Sequence, residues 1–265
     1  MKLRFLMLVA SCIVPAALFI QGAHRNLQPA SQPENLQDDQ SRQERSIAIA
    51  AKSNRRPELI PTSAYRRELI LGFTVLISPT VLRNPQAARA MRQELHSQLA
   101  AIARVVPAIP LSRLRQVKIW VEWANQDGAA EYHPSADWLR QNGYNPDKAG
   151  GVEVANIRNF VQWSRTDQPW IMMHELAHAY HHQVLGYTNV GIQSAYQQAL
   201  RGGRYQSVDY VRGGRQRAYA LNNEKEYFAE LSEAYFGRND FYPFTRVELV
   251  AFDPVGYQLM QRVWR

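Results

Sequence analysis

The chain has 265 residues, 46% of them hydrophobic, a single cysteine and a formal net charge of +8. That apolar fraction supports a sizeable core and excludes a chain that is disordered throughout. The lone Cys12 excludes an internal disulfide and any thiolate-rich metal site, and the basic residues are scattered without the dense block of a nucleic-acid surface.

Lys2 and Arg4 precede an apolar run from Phe5 to Ile20, which reads as a secretory signal over residues 1–23 with cleavage near Ala23. An uncleaved membrane anchor interrupted by Pro15 and a lipoprotein signal at Val9-Ala10-Ser11-Cys12 are the alternatives, the second weakened by the long apolar run after Cys12. Export is therefore expected, to the medium, the periplasm or the cell envelope, with membrane attachment through this segment in the two alternative cases. Residues 24–61 are rich in Gln, Ser, Asn, Arg and Pro and read as a polar spacer, unable to bury enough apolar surface to become ordered. A folded domain is expected over residues 62–265. A basic exported protein is more suited to acidic lipids or wall polymers than to nucleic acid.

Within that domain, Leu69 to Ile77 is apolar and β-branched and predicts a strand ending at Ser78-Pro79. Asn84-Pro85 opens a helix carrying Met91, Leu95, Leu99 and Ile102 at helical spacing, stopped before Pro107. Val117, Ile119 and Val121 alternate with Lys118, Trp120 and Glu122, the pattern of a half-buried strand, and Gly151 to Val161 predicts another. A helix from about Trp170 to Val184 follows, then one over Gly191 to Arg201. Tyr205 to Val211 and Arg215 to Leu221 flank Arg212-Gly213-Gly214 as a hairpin. Asn222 or Asn223 caps a helix that runs to Gly237, and Thr245 to Trp264 holds one or two more, broken near Asp253-Pro254. The fold class is α+β.

The chemistry sits in His174-Glu175-Leu176-Ala177-His178. Residues four apart on a helix lie about 40° apart around the axis and roughly 6 Å along it, so the two imidazoles can hold one divalent ion. Glu175, about 100° from His174, can reach a water at that ion without binding the ion itself. Ile171, Met172, Met173, Leu176, Ala177, Ala179, Tyr180 and Val184 make this helix apolar around most of its circumference, hence buried. A buried His, Glu, His set is costly unless satisfied, and a metal satisfies it most simply. Two core histidines bonded to neighbours, beside a partly exposed Glu, is the rival reading. Without thiols, a zinc ion here must be held by imidazole and carboxylate, a set typical of catalytic sites.

Such a site needs a third protein ligand. His181 lies roughly 10 Å along the axis from His174, too far to share the ion on a straight helix, and is expected as a hydrogen-bonded neighbour of the site. His182 and His133 stay open. Glu226, Glu230 and Glu233 form one stripe at i, i+4 and i+7, wedged between Tyr227, Phe228, Leu231, Ala234 and Tyr235 on one side and Ala229 and Phe236 on the other. A row so flanked is not a solvated face, although Asn223-x-x-Glu226 as a capping box would also explain its first member.

His174-Glu-Leu-Ala-His178 followed by Tyr219-Ala-Leu-Asn-Asn-Glu-Lys-Glu226-Tyr-Phe-Ala-Glu230 resembles the zincin domain of the anthrax lethal factor type, in the gluzincin group of zinc metallopeptidases. The likeness spans roughly Ile119 to Gly237 and extends to uncharacterised secreted bacterial and fungal proteins with the same motif pair. It implies a zincin-like fold, with a small mixed sheet packed on the motif helix and a mainly helical C-terminal part. It further implies one Zn²⁺ held by His174, His178 and Glu226, Glu175 as general base, Tyr219 as the oxyanion donor, Glu230 in the outer ring of hydrogen bonds, and a peptide or protein substrate. The toxin's long substrate-recruiting domains have no counterpart here, so its specificity does not transfer. The expectation is an exported zinc-dependent peptidase, most simply an endopeptidase, with Gly151 to Val161 as the edge strand that receives substrate. A catalytically silent zinc-binding domain that recognises a peptide or wall component is the alternative, and a metal-free structural domain a third.

Overall fold

The computed structural model describes residues 59–265. The expected signal segment, and all of the spacer except its last few residues, lie outside the described residues. No helix among the described residues is long and apolar enough to cross a membrane.

The expected α+β class is observed. Strand β1 (Arg66–Ile70) turns through Leu71 and Gly72 into β2 (Phe73–Ile77), so the apolar stretch predicted as one strand from Leu69 is the end of one strand and the whole of the next. Leu71 takes φ +50° and Gly72 φ +89°, left-handed backbone that reverses the chain in two residues. Leucine rarely adopts that conformation, which is why no turn was visible there.

Helix α1 (Pro85–Val105) starts and stops as predicted, at Asn84-Pro85 and before Pro107. Its Met91, Leu95, Leu99 and Ile102 stripe is buried. A short α2 (Ala108–Leu114) leads to β3 (Ile119–Val121), which pairs parallel with β2. Strand β4 is only Glu131–Tyr132, and helix α3 (Ala136–Gln141) follows it. Strand β5 (Val152–Val154) pairs parallel with β3 and antiparallel with β4, giving a mixed sheet in the order β1-β2-β3-β5-β4.

Two expectations change here. β5 stops at Val154, because the Asn156 side chain accepts the N–H groups of Arg158 and Asn159 and opens helix α4 (Ile157–Thr166). The outer side of β5 is covered by β4, so the sheet's edges are β1 and, on this side, Glu131–Tyr132, and not Gly151–Val161. β3 is buried on both faces: Ile119 and Val121 face the main core, whereas Trp120 packs with Leu76 and Tyr65 on the other side, where Ile60 adds cover.

The motif helix α5 (Ile171–Tyr180) packs on the main-core face and continues as a π-helical turn over His181–Leu185. Helix α6 (Val190–Gly202) follows, capped by Asn189. The predicted hairpin shrinks to β6 (Val208–Asp209) and β7 (Arg215–Gln216), with 3-10 turns at Arg204–Gln206 and Tyr219–Leu221 taking its outer ends. Helix α7 (Glu224–Phe236) lies against α5 and is capped by Asn223. Helices α8 (Arg246–Phe252) and α9 (Pro254–Val263), broken at Asp253-Pro254 as predicted, complete the helical C-terminal part.

Candidate metal centre

Helix α5 is buried along nearly its whole length, so its polar residues must be satisfied from within the protein. His174 and Glu175 are 7% and 8% exposed, and the partners of His174 come from α7. The Asn223 side chain accepts the N–H groups of Lys225 and Glu226, fixing the first turn of α7 and with it the Glu226 backbone. Glu226 Oε2 lies 3.1 Å from His174 Nε2 and 3.2 Å from His178 Nε2. One ligand atom from each of these three residues falls within 4.8 Å of the other two. Four donors around a zinc ion at about 2.0 Å stand about 3.3 Å apart, so these separations suit a tetrahedral ion. The donor set, two imidazoles and a carboxylate, fits it as well. The two histidines hold the Glu226 carboxyl well below the usual carboxylate range against the opposing cost of burial.

The other nitrogen of His174 is also committed. Nδ1 lies 2.6 Å from Glu233 Oε1, so Glu233 is placed to accept the Nδ1 proton while Nε2 faces Glu226 and the ion position; against burial, Glu226 and Glu233 raise the imidazole well above its usual range. Glu230, expected in the outer ring of hydrogen bonds, lies beside this pair at 3.8 Å from Nδ1, and its Oε2 accepts from Asn239. Burial and the neighbouring acids Asp240 and Glu233 push Glu230 well above its usual range, and burial with Glu233 pushes Asp240 up to about 8.

His181 does not join this ring. It is fully buried between Tyr187 and Phe228, each 5.1 Å away by ring centroid, and neither ring nitrogen has a hydrogen-bond partner among the described residues. Burial first, then the positive neighbours His178, Lys225 and His182, push it down to about 3, so it stays neutral. The π-helical turn that begins at His181 breaks the straight-helix register from which its neighbourly role was inferred. His182, left open, bonds Tyr132 Oη at 2.7 Å and stacks on Tyr187. His133 belongs to a different cluster, bonding Glu153 at 2.6 Å.

Glu175 faces the edge strand, where the backbone of Tyr132 hydrogen-bonds to it. Burial raises its carboxyl to about 8, with Glu226 and Glu131 pushing the same way and His174 opposing. A buried carboxylate with so high an affinity for a proton is a competent base once a cation sits beside it. Tyr219, in the turn preceding α7, places its ring 6.2 Å from that of His174. The structure thus gathers His174, Glu175, His178, Tyr219 and Glu226, sets Glu233 and, beyond it, Glu230 next to His174, and leaves His181 apart.

No model of a known protein family matches the chain, and neither a characterised protein nor a solved structure matches it.

Proposed function

We propose that the chain is an exported zinc-dependent peptidase of the gluzincin kind with a zincin-like fold, in which His174, His178 and Glu226 hold one Zn²⁺. The observation that carries this reading is the convergence of Glu226 Oε2 on both Nε2 atoms, at 3.1 and 3.2 Å, with Glu175 buried on the same helix beside them. When bound, the ion would act as a Lewis acid toward a carbonyl oxygen and make water more acidic.

The remaining steps belong to the chain. A substrate peptide lies antiparallel along the outer edge of β4, beside Tyr132. Glu175 removes a proton from the attacking water and returns it to the departing amine, a transfer typically worth about 10²–10⁴ in rate. Tyr219 donates its hydroxyl proton to the developing oxyanion, a contribution of a few kcal/mol. Tyr132, whose backbone bonds Glu175, holds the base and the substrate strand in one frame.

Zinc-loaded protein incubated with a mixed peptide pool, with new termini read by mass spectrometry, tests this. Hydrolysis is expected from the wild type and about 10³-fold less from folded, zinc-loaded Glu175→Gln. Equal hydrolysis by the two proteins, or none by a zinc-loaded wild type across the pool, overturns the proposal.

A further inference from the structure

On the face of the sheet away from the motif helix, a second group of ligating side chains converges. Glu131 on β4 stands directly opposite Glu153 on β5, so two carboxylates share one face of the ladder, an arrangement that is unfavourable without a balancing charge. His133, just past β4, places Nε2 2.6 Å from Glu153 Oε2 and 3.7 Å from Glu131 Oε1. One donor atom from each of the three residues lies within 4.8 Å of the others. Glu153 is fully buried, His133 is 2% exposed, and the Glu131 side chain retains 24%.

The cation already present is spent. Lys148 Nζ sits 2.8 Å from Glu122 Oε1 and 2.7 Å from Glu153 Oε1, bridging those two acids. Three carboxylates (Glu122, Glu131, Glu153) thus face one ammonium and an imidazole. With the imidazole neutral and all three carboxylates ionised, the cluster carries two excess negative charges, the charge of one divalent ion.

The outer contacts are in place too. Lys148 and Asn125 both bond Glu153 Oε1, at 2.7 and 3.2 Å, leaving Oε2 to face His133, and Gln126 bonds Glu131. Ligating carboxylates are characteristically held by such secondary bonds. The imidazole among the donors favours a transition metal over calcium or magnesium.

We propose that Glu131, His133 and Glu153 form a second metal site, which takes a divalent transition ion such as Zn²⁺ and ties the edge strand β4 to β5. Tyr132 lies between two of these ligands and bonds Glu175 through its backbone. An ion here fixes the strand that lies beside the catalytic base, at a distance from the reacting atoms.

The test uses the full chain carrying His178→Ala and Glu226→Ala, which removes the first site, stripped of metal and titrated with Zn²⁺ by calorimetry, with circular dichroism as the check on folding. One equivalent is expected. Adding Glu131→Gln or His133→Asn should weaken it by about 100-fold or more with the fold unchanged. The proposal is overturned if the folded background protein binds no zinc, the behaviour of a cluster balanced by an imidazolium at His133, or if both added variants retain the equivalent. Failure here leaves the first site untouched, whereas failure of the first site appears separately, as a wild type that binds no more zinc than the background protein.

Discussion

Replacing Glu233 by Gln isolates the contribution of the residue behind His174. The Nδ1–Oε1 separation is 2.6 Å and both groups are buried, at 7% and 2% exposure, so water cannot take over the contact. Gln keeps an acceptor and nearly the same volume but removes the negative charge that makes the imidazole a stronger donor to the ion. Loss of such a partner typically costs 10–100-fold in metal affinity, or about 1.4–2.7 kcal/mol. Glu230→Gln is the internal control: its oxygen is 3.8 Å from Nδ1, beyond hydrogen-bond reach. It should change zinc affinity by less than about threefold. Competition against a fluorescent zinc chelator measures both, with near-ultraviolet circular dichroism as the check on packing. An effect of Glu230→Gln equal to or larger than that of Glu233→Gln would refute the reasoning.

Further expectations concern the groups around the site. In metal-free protein Glu131→Gln should raise stability as the pH climbs: the folded carboxyl stays protonated up to about 7 against 4.5 for the ordinary group, so the penalty is absent at pH 4 and grows through pH 7. Its ceiling is about 3 kcal/mol, read from urea midpoints at pH 4 and 8, and a variant less stable than wild type at pH 8 contradicts it. Tyr219→Phe should lower kcat by about 10²-fold with KM within about threefold, since its hydroxyl acts on charge that exists only in the transition state; a change confined to KM argues against that role. His181→Phe removes two buried nitrogens that have no partner among the described residues, and should leave zinc content unchanged and thermal stability equal or higher; loss of zinc would show that His181 supports the site after all.

The elements that announce themselves in this sequence are those whose information is local. Asn84-Pro85 and Pro107 bracket α1, Asn223 caps α7, and Asp253-Pro254 divides the last two helices, because capping and proline geometry act within a few residues. The His174–His178 pair is legible for the same reason. The stripe of α7 offers Glu226, Glu230 and Glu233 together and only the resemblance singles out Glu226; which carboxylate meets Nδ1 of His174 depends on how α7 lies against α5, which no local pattern records. Strand β4 is two residues long and carries no periodicity, so the edge it forms, and Tyr132 beside Glu175, emerge only from pairing. The Asn156 cap was readable, since Ile157, Phe160 and Val161 follow it at helical spacing, yet the alternation of Val152 and Val154 masked it.

The central claim is that the two histidines of α5 and Glu226 of α7 hold one ion, and the affinity of the tightest-bound zinc in wild type and Glu226→Ala, both folded, tests it most directly. The account predicts a wild-type equivalent that resists chelator competition and is weakened by about 100-fold or more in the variant. Zinc held by Glu226→Ala within about threefold of the wild-type affinity would contradict it, and with it the assignment of α7 to the metal centre.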